Sequence, residues 1–301
     1  MSATDAQIIE ALGRYGHLNM PFGKPAGHVP QLDVLKLSDP IVTTAVQSYQ
    51  EFHSQTAEPL IAKHHPQRLS AAIVPDGDVG PATRDLFALP RCGHPDYDGT
   101  QPMVAEAGQG NWRGCWGVGD FHSAIVRFTN EPPGFLQPHI DEVWSRVVDA
   151  YADMGCLFIR EDNGRRPNIT VEFTVGQGWI GLAIVGQGET CGTTIWAKFD
   201  RNYQPRNIVN EWTSLLMHEL GHNSGLGHSR GGIMNPSIIN GLPPTWRGDA
   251  SEQLLIARFG GVPVPRDDAP GERELVQAWR YPDGRLEFLQ TIPGGNGGFP
   301  Q

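Results

Sequence analysis

The chain has 301 residues, with 23 Lys+Arg against 33 Asp+Glu and a net charge of −10. Its length allows two modest domains or one large one, and its acidic balance argues against nucleic acid or an anionic membrane surface as a partner. No apolar run approaches the ~20 residues of a membrane-spanning helix. The first residues, Met1-Ser2-Ala3-Thr4-Asp5, carry neither a basic nor an apolar region, so no signal peptide is visible. Either the signal is missing from the chain as given, or export uses another route, or the protein stays inside. Four cysteines, Cys92, Cys115, Cys156 and Cys191, are too few for a disulfide scaffold.

Residues 5–17 carry Ile8, Ile9, Leu12 and Tyr15 at the spacing of a short amphipathic helix. A stretch rich in Pro and Gly follows over 19–37. A second helix opens at Ser38-Asp39-Pro40, a capping pair with proline in the first turn, and presents Val42, Ala45, Val46, Tyr49 and Phe52. After a polar segment with His64, His65 and Pro66, residues 75–81 form a turn feeding a third short helix. Pro90-Arg91-Cys92-Gly93-His94-Pro95-Asp96 comes next. Residues 97–120 are then Gly-rich, with two tryptophans, and read as a connector.

From residue 121 the pattern changes. Residues 123–128 read as a strand, and a helix after Pro132-Pro133-Gly134 carries Ile140, Val143, Trp144, Val147, Val148 and Tyr151 on one face. Strands are predicted at 168–173, 181–185 and 194–200. A helix starting near Asn207 sends Ile208, Trp212, Leu215 and Leu216 into the core. A last helix spans 251–259 and ends at Gly260-Gly261, and 274–289 has the pattern of a hairpin turning at Pro282-Asp283-Gly284.

The chemistry is concentrated at 218–234. His218 and His222 are i and i+4, so on a helix they share one face, one turn apart, and can hold one zinc ion between them. Glu219 follows the first of them, so its carboxylate reaches water on the metal rather than the metal, the place of a general base. Gly225 lies one turn beyond His222, where a residue free to take positive φ lets the helix stop and the chain return. That return brings His228 in as a third ligand. Three protein ligands with an open fourth position mark a catalytic rather than a structural zinc. A bare H-E-x-x-H also occurs on ordinary helices; the addition of Gly225, His228 and Met234 is what makes the pattern specific.

The pattern H-E-x-x-H-x-x-G-x-x-H followed by Gly231-Gly232-Ile233-Met234 resembles the metzincins, and Ser229 after the third histidine makes it similar to the matrixins, the matrix metalloproteinase family. The resemblance implies a Met-turn that places the Met234 thioether beneath the metal. Residues 90–96 likewise resemble the matrixin cysteine switch P-R-C-G-x-P-D, with His94 at the variable position. On that resemblance Cys92 is an inhibitory fourth zinc ligand, and Arg91 and Asp96 pair across the loop to support it; the plain alternative is a free or disulfide-bonded cysteine in a Pro-rich linker. Cys115, in the same connector, could compete for the metal. If Cys92 is the switch it is free, and Cys115, Cys156 and Cys191 form at most one disulfide. The A-V-x-x-Y-Q stretch and D-G-x-V-G-P-A-T turn in the first 89 residues resemble the peptidoglycan-binding-like domain, a fold that also forms the pro-region of many matrixins; the plain alternative is a generic three-helix unit.

The implied fold class is α+β: a zincin-like domain with a twisted mixed sheet and an active-site helix, preceded by a small all-α domain of three helices. The implied division is a helical pro-domain over 1–89, switch and connector over 90–120, a metalloprotease domain over 121–260 and a tail over 261–301. The implied activity is zinc-dependent endopeptidase, made latent and activated when the pro-region is cut or displaced, acting on protein or peptide substrates outside the cell or at its surface. In the family, residues 181–185 are the edge strand that pairs with substrate, which makes Leu182, Ala183, Pro236 and Ile238 the candidate substrate contacts; an ordinary sheet strand is an equal reading of those residues. Some family features are missing. No histidine lies between His139 and His218, so a second, structural zinc is not expected. Asp-rich calcium-binding stretches are not evident, so calcium has no support in the sequence. Ser237-Ile238 follows Pro236 where the family often has tyrosine, and only Asp249 stands near the paired aspartates usual before the last helix. The alternative function is a peptidoglycan- or cell-wall-binding protein whose metallopeptidase domain is inactive or cuts cell-wall peptides. His17, His28, His53, His64, His65, His122 and His139 have no ligand spacing and read as ordinary histidines.

Overall fold

The computed structural model describes residues 3–19, 32–54, 72–96, 122–160, 166–176, 178–184, 186, 194–229, 232–237, 245–249, 251–261, 263–264, 275–280 and 286–292. Among these, six α-helices and seven strands make a mixed α/β fold. The helices are α1 (Asp5–Arg14), α2 (Pro40–Ser54), α3 (Pro81–Phe87), α4 (Ile140–Ala152), α5 (Ile208–Asn223) and α6 (Glu252–Phe259). The strands are β1 (His122–Phe128), β2 (Cys156–Arg160), β3 (Ile169–Thr174), β4 (Gly181–Ala183), β5 (Ile195–Asp200), β6 (Leu275–Arg280) and β7 (Leu286–Ile292).

Five strands form one sheet in the order β2-β1-β3-β5-β4. The first four are mutually parallel, and β4 runs antiparallel to β5 with Leu182 opposite Lys198. The burial of β3 and β5 alternates residue by residue, so the sheet has one core face. That face carries Val126, Ile169, Val171, Phe173, Ala197 and Phe199, and it packs with Val143 and Val147 of α4 and Trp212, Leu215 and Leu216 of α5 in a single cluster. Placing both helices against one face explains the alternation, since a parallel sheet covered on both faces reads as continuous apolar runs. β2 is absent from the sequence-based expectations. Its Cys156-Leu157-Phe158-Ile159-Arg160 is five residues long, and so short an apolar run does not distinguish strand from helix by period. The tail forms an antiparallel pair, β6 with β7, as the hairpin pattern suggested. Its turn, and Val185, lie outside the described residues.

The three N-terminal helices share a second cluster built on Ile8, Leu12, Val42, Val46, Tyr49 and Leu86. Thr4 opens α1 with a full capping box to Gln7, and Pro81 sits in the first turn of α3. α1 stops at Arg14, three residues earlier than the apolar pattern suggests. Tyr15 and His17, both buried, turn away from the helix toward residues 91–96. Gln50, inside α2, bonds the turn before α3 on both sides of its amide: its oxygen accepts from Gly77 N–H at 2.8 Å and its nitrogen donates to the Asp78 carbonyl at 2.9 Å. No helix among the described residues is long and apolar enough to cross a membrane.

Phe199 is fully buried where β5 meets Phe173 and Trp212, with ring centroids 6.0 Å from each. Phe199→Ala removes a ring that neighbours on two elements cannot replace, and the expected cost is about 3–5 kcal/mol. The midpoint of urea unfolding, followed by tryptophan fluorescence, measures it.

Candidate metal centre

The site is built on α5. Asn207 caps it, accepting from Asn210 N–H at 3.1 Å, and the core face of the helix anchors it against the sheet. His218, Glu219 and His222 all lie in its last two turns and are fully buried. The helix stops at Ser224, and Gly225 takes φ +81, the left-handed conformation the spacing calls for. Arg258, reaching over from α6, donates to the carbonyls of Ser224 and Gly225, which caps the C-terminal end of α5 and fixes the turn. The chain then brings His228 back beside the helix, with its ring centroid 5.4 Å from that of His218 and 4.9 Å from that of His222.

The fourth member of the cluster comes from residues 90–96. Cys92 is buried and free, and its Sγ lies 3.5 Å from His222 Nε2. One donor atom from each of Cys92, His218, His222 and His228 falls within 4.8 Å of all the others. The segment around Cys92 is laid between two others. Cys92 N–H donates to the Pro236 carbonyl at 2.8 Å on one side; on the other, Gly93 N–H donates to the Gly181 carbonyl at 2.7 Å and Ile180 N–H to the Arg91 carbonyl at 3.0 Å. The segment runs parallel to β4 and antiparallel to the strand-like stretch at Ser237.

Each imidazole has one nitrogen already bonded. His218 Nδ1 meets the Ile233 carbonyl at 2.7 Å, His222 Nδ1 the Leu226 carbonyl at 2.8 Å and His228 Nδ1 the Asp96 carboxylate at 3.0 Å. These partners only accept, so Nδ1 carries the proton and Nε2 keeps its lone pair. Nε2 of His218 and of His228, and both oxygens of Glu219, are buried with no hydrogen-bond partner in the protein. Burial lowers the pKa of His218 to about 3 and also lowers those of His222 and His228, which keeps the rings neutral. In the protein matrix alone, burial pushes the Cys92 thiol well up and the Glu219 carboxyl up to about 8.

This donor set fits zinc. It is three nitrogens and one sulfur, the soft mixture that zinc takes in tetrahedral sites. Ligands about 2.0 and 2.3 Å from a tetrahedral ion lie about 3.5 Å apart, the separation of His222 Nε2 and Cys92 Sγ. The orphaned buried nitrogens are the atoms a cation would satisfy.

Met234 is fully buried and packs against Gly221, where an added Cβ would stand 2.5 Å from its Sδ. Asp249, before α6, accepts from Ile233 N–H at 2.7 Å; the same residue's carbonyl holds His218, so this single aspartate steadies the turn under the first histidine. Arg91 and Asp96 form a buried ion pair at 2.8 Å. Leu182 and Ala183 lie on β4, the sheet edge, and Pro236 is buried beside Cys92; Ile238 lies outside the described residues. Cys115 and Cys191 also lie outside them, while Cys156 is free and buried in the core, away from the cluster.

Two further histidines stand at the site: His17, which spacing left as ordinary, and His94, the variable residue of the 90–96 motif. His17 Nε2 meets Asp96 Oδ2 at 2.9 Å and His17 Nδ1 meets Ser48 Oγ at 3.1 Å. His94 stacks on His222 with centroids 4.8 Å apart. Neither contact has a sequence signal, because each reaches a residue far away along the chain.

The fold and this buried Cys-His₃ group are those of a mixed α/β chain compatible with a metzincin-like, metal-dependent domain. In sequence the chain is weakly similar to matrix metalloproteinases. Over 210 residues it is 26% identical to "Matrilysin" of Rattus norvegicus, a stretch covering 66% of this chain and 70% of that protein. Over 204 residues it is 24% identical to "Macrophage metalloelastase" of the same species, covering 62% of this chain and 41% of that protein. No family model matches the chain.

Four donors crowded into one buried volume predict a metal-dependent stability. A chelator is expected to lower the melting temperature of the zinc-loaded chain, since a ligand that binds only the folded form stabilises it. His218→Gln is expected to remove that difference. Differential scanning calorimetry with and without chelator reads both.

Proposed function

We propose that this chain is a zinc-dependent endopeptidase of matrixin type, held latent by its own N-terminal part. The observation that carries the reading is the position of Cys92. Its sulfur joins the three imidazoles of an H-E-x-x-H-x-x-G-x-x-H site, on a backbone segment lodged between β4 and Pro236. In this reading residues 1–89 are a pro-domain, 90–120 the switch and connector, and 121–260 the protease domain, working outside the cell. His218, His222 and His228 hold the zinc, and Cys92 is the fourth ligand until the N-terminal part is cut away or displaced, with Arg91 and Asp96 holding its loop in shape.

When the switch segment leaves, three backbone groups lose their partners: Ile180 N–H, the Gly181 carbonyl and the Pro236 carbonyl. They flank the place of Cys92 beside the metal centre and suit an extended peptide, which adds to a sheet edge through main-chain hydrogen bonds. Leu182 and Ala183 on β4, and Pro236, whose carbonyl is one of those three groups, are the proposed substrate contacts among the described residues, with Ile238 added from the sequence alone. The absence of a side chain at Gly181 is needed here, because a Cβ would stand 2.2 Å from Glu219 Oε1.

Zinc, when bound, supplies a Lewis acid that acidifies water and polarises the peptide carbonyl. Glu219 supplies the proton transfers. Its carboxylate is buried beside the three imidazoles and lies next to Gly181 on β4, so it is placed to exchange a proton with a water held at the metal. One of its oxygens accepts the proton of the attacking water and returns it to the leaving amine nitrogen. The bond broken is the peptide C–N, and the products are a carboxylate and an amine. The backbone partners of His218 and His222 keep both rings in one orientation throughout.

Cleavage of a mixed peptide library by the wild-type chain, Cys92→Ala and Glu219→Ala, with a zinc assay on each, tests this. Wild type is expected to be latent, and Cys92→Ala active. Glu219→Ala in the Cys92→Ala background is expected to lose about 10²- to 10⁴-fold in rate while keeping its zinc. Loss of the zinc together with the rate would move Glu219 from base to ligand, and no cleavage by any zinc-loaded variant would sink the endopeptidase reading.

A further inference from the structure

Asp96 is fully buried and makes more contacts than a loop-bracing aspartate requires. Oδ1 accepts from Arg91 Nη2 at 2.8 Å and from His228 Nδ1 at 3.0 Å; Oδ2 accepts from His17 Nε2 at 2.9 Å. Its own N–H donates to the Tyr15 carbonyl at 3.1 Å. Paired with the Arg91 guanidinium, the Asp96 carboxylate serves as an acceptor, and both histidines donate to it. The second His17 nitrogen then accepts from the Ser48 hydroxyl, which satisfies that ring.

The three candidate zinc ligands are thus held differently. His218 and His222 lean on carbonyls of their own surroundings, Ile233 and Leu226. His228 leans on a carboxylate that belongs to residues 90–96, and through it on His17 between α1 and α2. A hydrogen bond to a charged acceptor is roughly twice as strong as one to a neutral acceptor, and a carboxylate behind a metal-bound imidazole fixes its tautomer and raises its basicity.

We infer that Asp96 is the positioning residue of the third metal ligand, supplied by the blocking segment itself, so that docking of the N-terminal helices and metal binding strengthen each other independently of the Cys92 thiolate. This rests on the zinc reading above and adds to it. Release of the N-terminal part opens the site and at the same time takes away the partner of His228, so the released form holds zinc more weakly than loss of the thiolate alone accounts for. By reciprocity zinc also tightens the docking by the same factor.

The test uses full-length Cys92→Ala, in which the thiolate cannot act, beside Cys92→Ala/Asp96→Asn. Competition with a chromophoric chelator is expected to show zinc held about 10- to 100-fold more weakly by the double variant. Equal affinities would overturn the inference while leaving the protease reading intact. If Cys92→Ala binds no zinc at all, the protease reading fails and takes this inference with it. A second measurement needs no change at Asp96. Adding zinc to Cys92→Ala is expected to slow amide exchange at Asp96 and across α1, and exchange that does not respond to zinc overturns the coupling even if the Asn variant does not fold.

Discussion

Four lone-pair donors cannot be packed together in a dry interior unless something positive sits among them. The protein gathers three imidazole nitrogens and one sulfur within 4.8 Å of each other, all buried, with the buried Asp96 carboxylate behind His228. Much of the surrounding structure follows from that demand. α5 must be long enough to anchor in the sheet core at Trp212 and still present two histidines a turn apart. The helix must end where Arg258 can cap it, and the chain must return at Gly225 to deliver the third ring. The sheet edge must run close enough for Gly181 to meet Glu219 without a side chain between them.

The same demand sets the energetics of the N-terminal part. Surface ion pairs such as Arg146 with Glu142 contribute at most about 1 kcal/mol. The Arg91–Asp96 pair is different. It is buried, and removing one partner from such a pair costs about 3–5 kcal/mol because the other is left uncompensated. Arg91 is further enclosed by aromatic rings, its guanidinium carbon 3.4 Å from the centre of Tyr15, and its Nη1 donates to the Tyr49 hydroxyl at 3.2 Å. Both tyrosines belong to the helical cluster. The short loop that carries Cys92 is thus held by the core of another part of the chain, which allows a segment of a few residues to keep a defined place against β4.

The sheet explains why this place exists. β4 is three residues long, lies at the edge and pairs with β5 on one side only, so its outer backbone groups need a partner. Residues 91–93 supply one, and a peptide running along the same edge would compete for the same three hydrogen bonds.

The sequence by itself determined the parts of this protein that depend on neighbours in the chain. The i, i+4 spacing of His218 and His222, the glycine that ends α5 and the strands at 168–173 and 194–200 follow local rules and were legible in advance. β2 was not, because a run of four apolar residues before Arg160 is too short to show a period. Only the tertiary structure decided what each histidine leans on and where Cys92 goes. Cys92 is 130 residues from His222, Asp96 is 132 from His228 and 79 from His17. No spacing rule spans such separations. They are settled by the packing of residues 91–96 between Tyr15 and Tyr49 on one side and β4 and Pro236 on the other, and by the need of a buried carboxylate to find every partner within the protein.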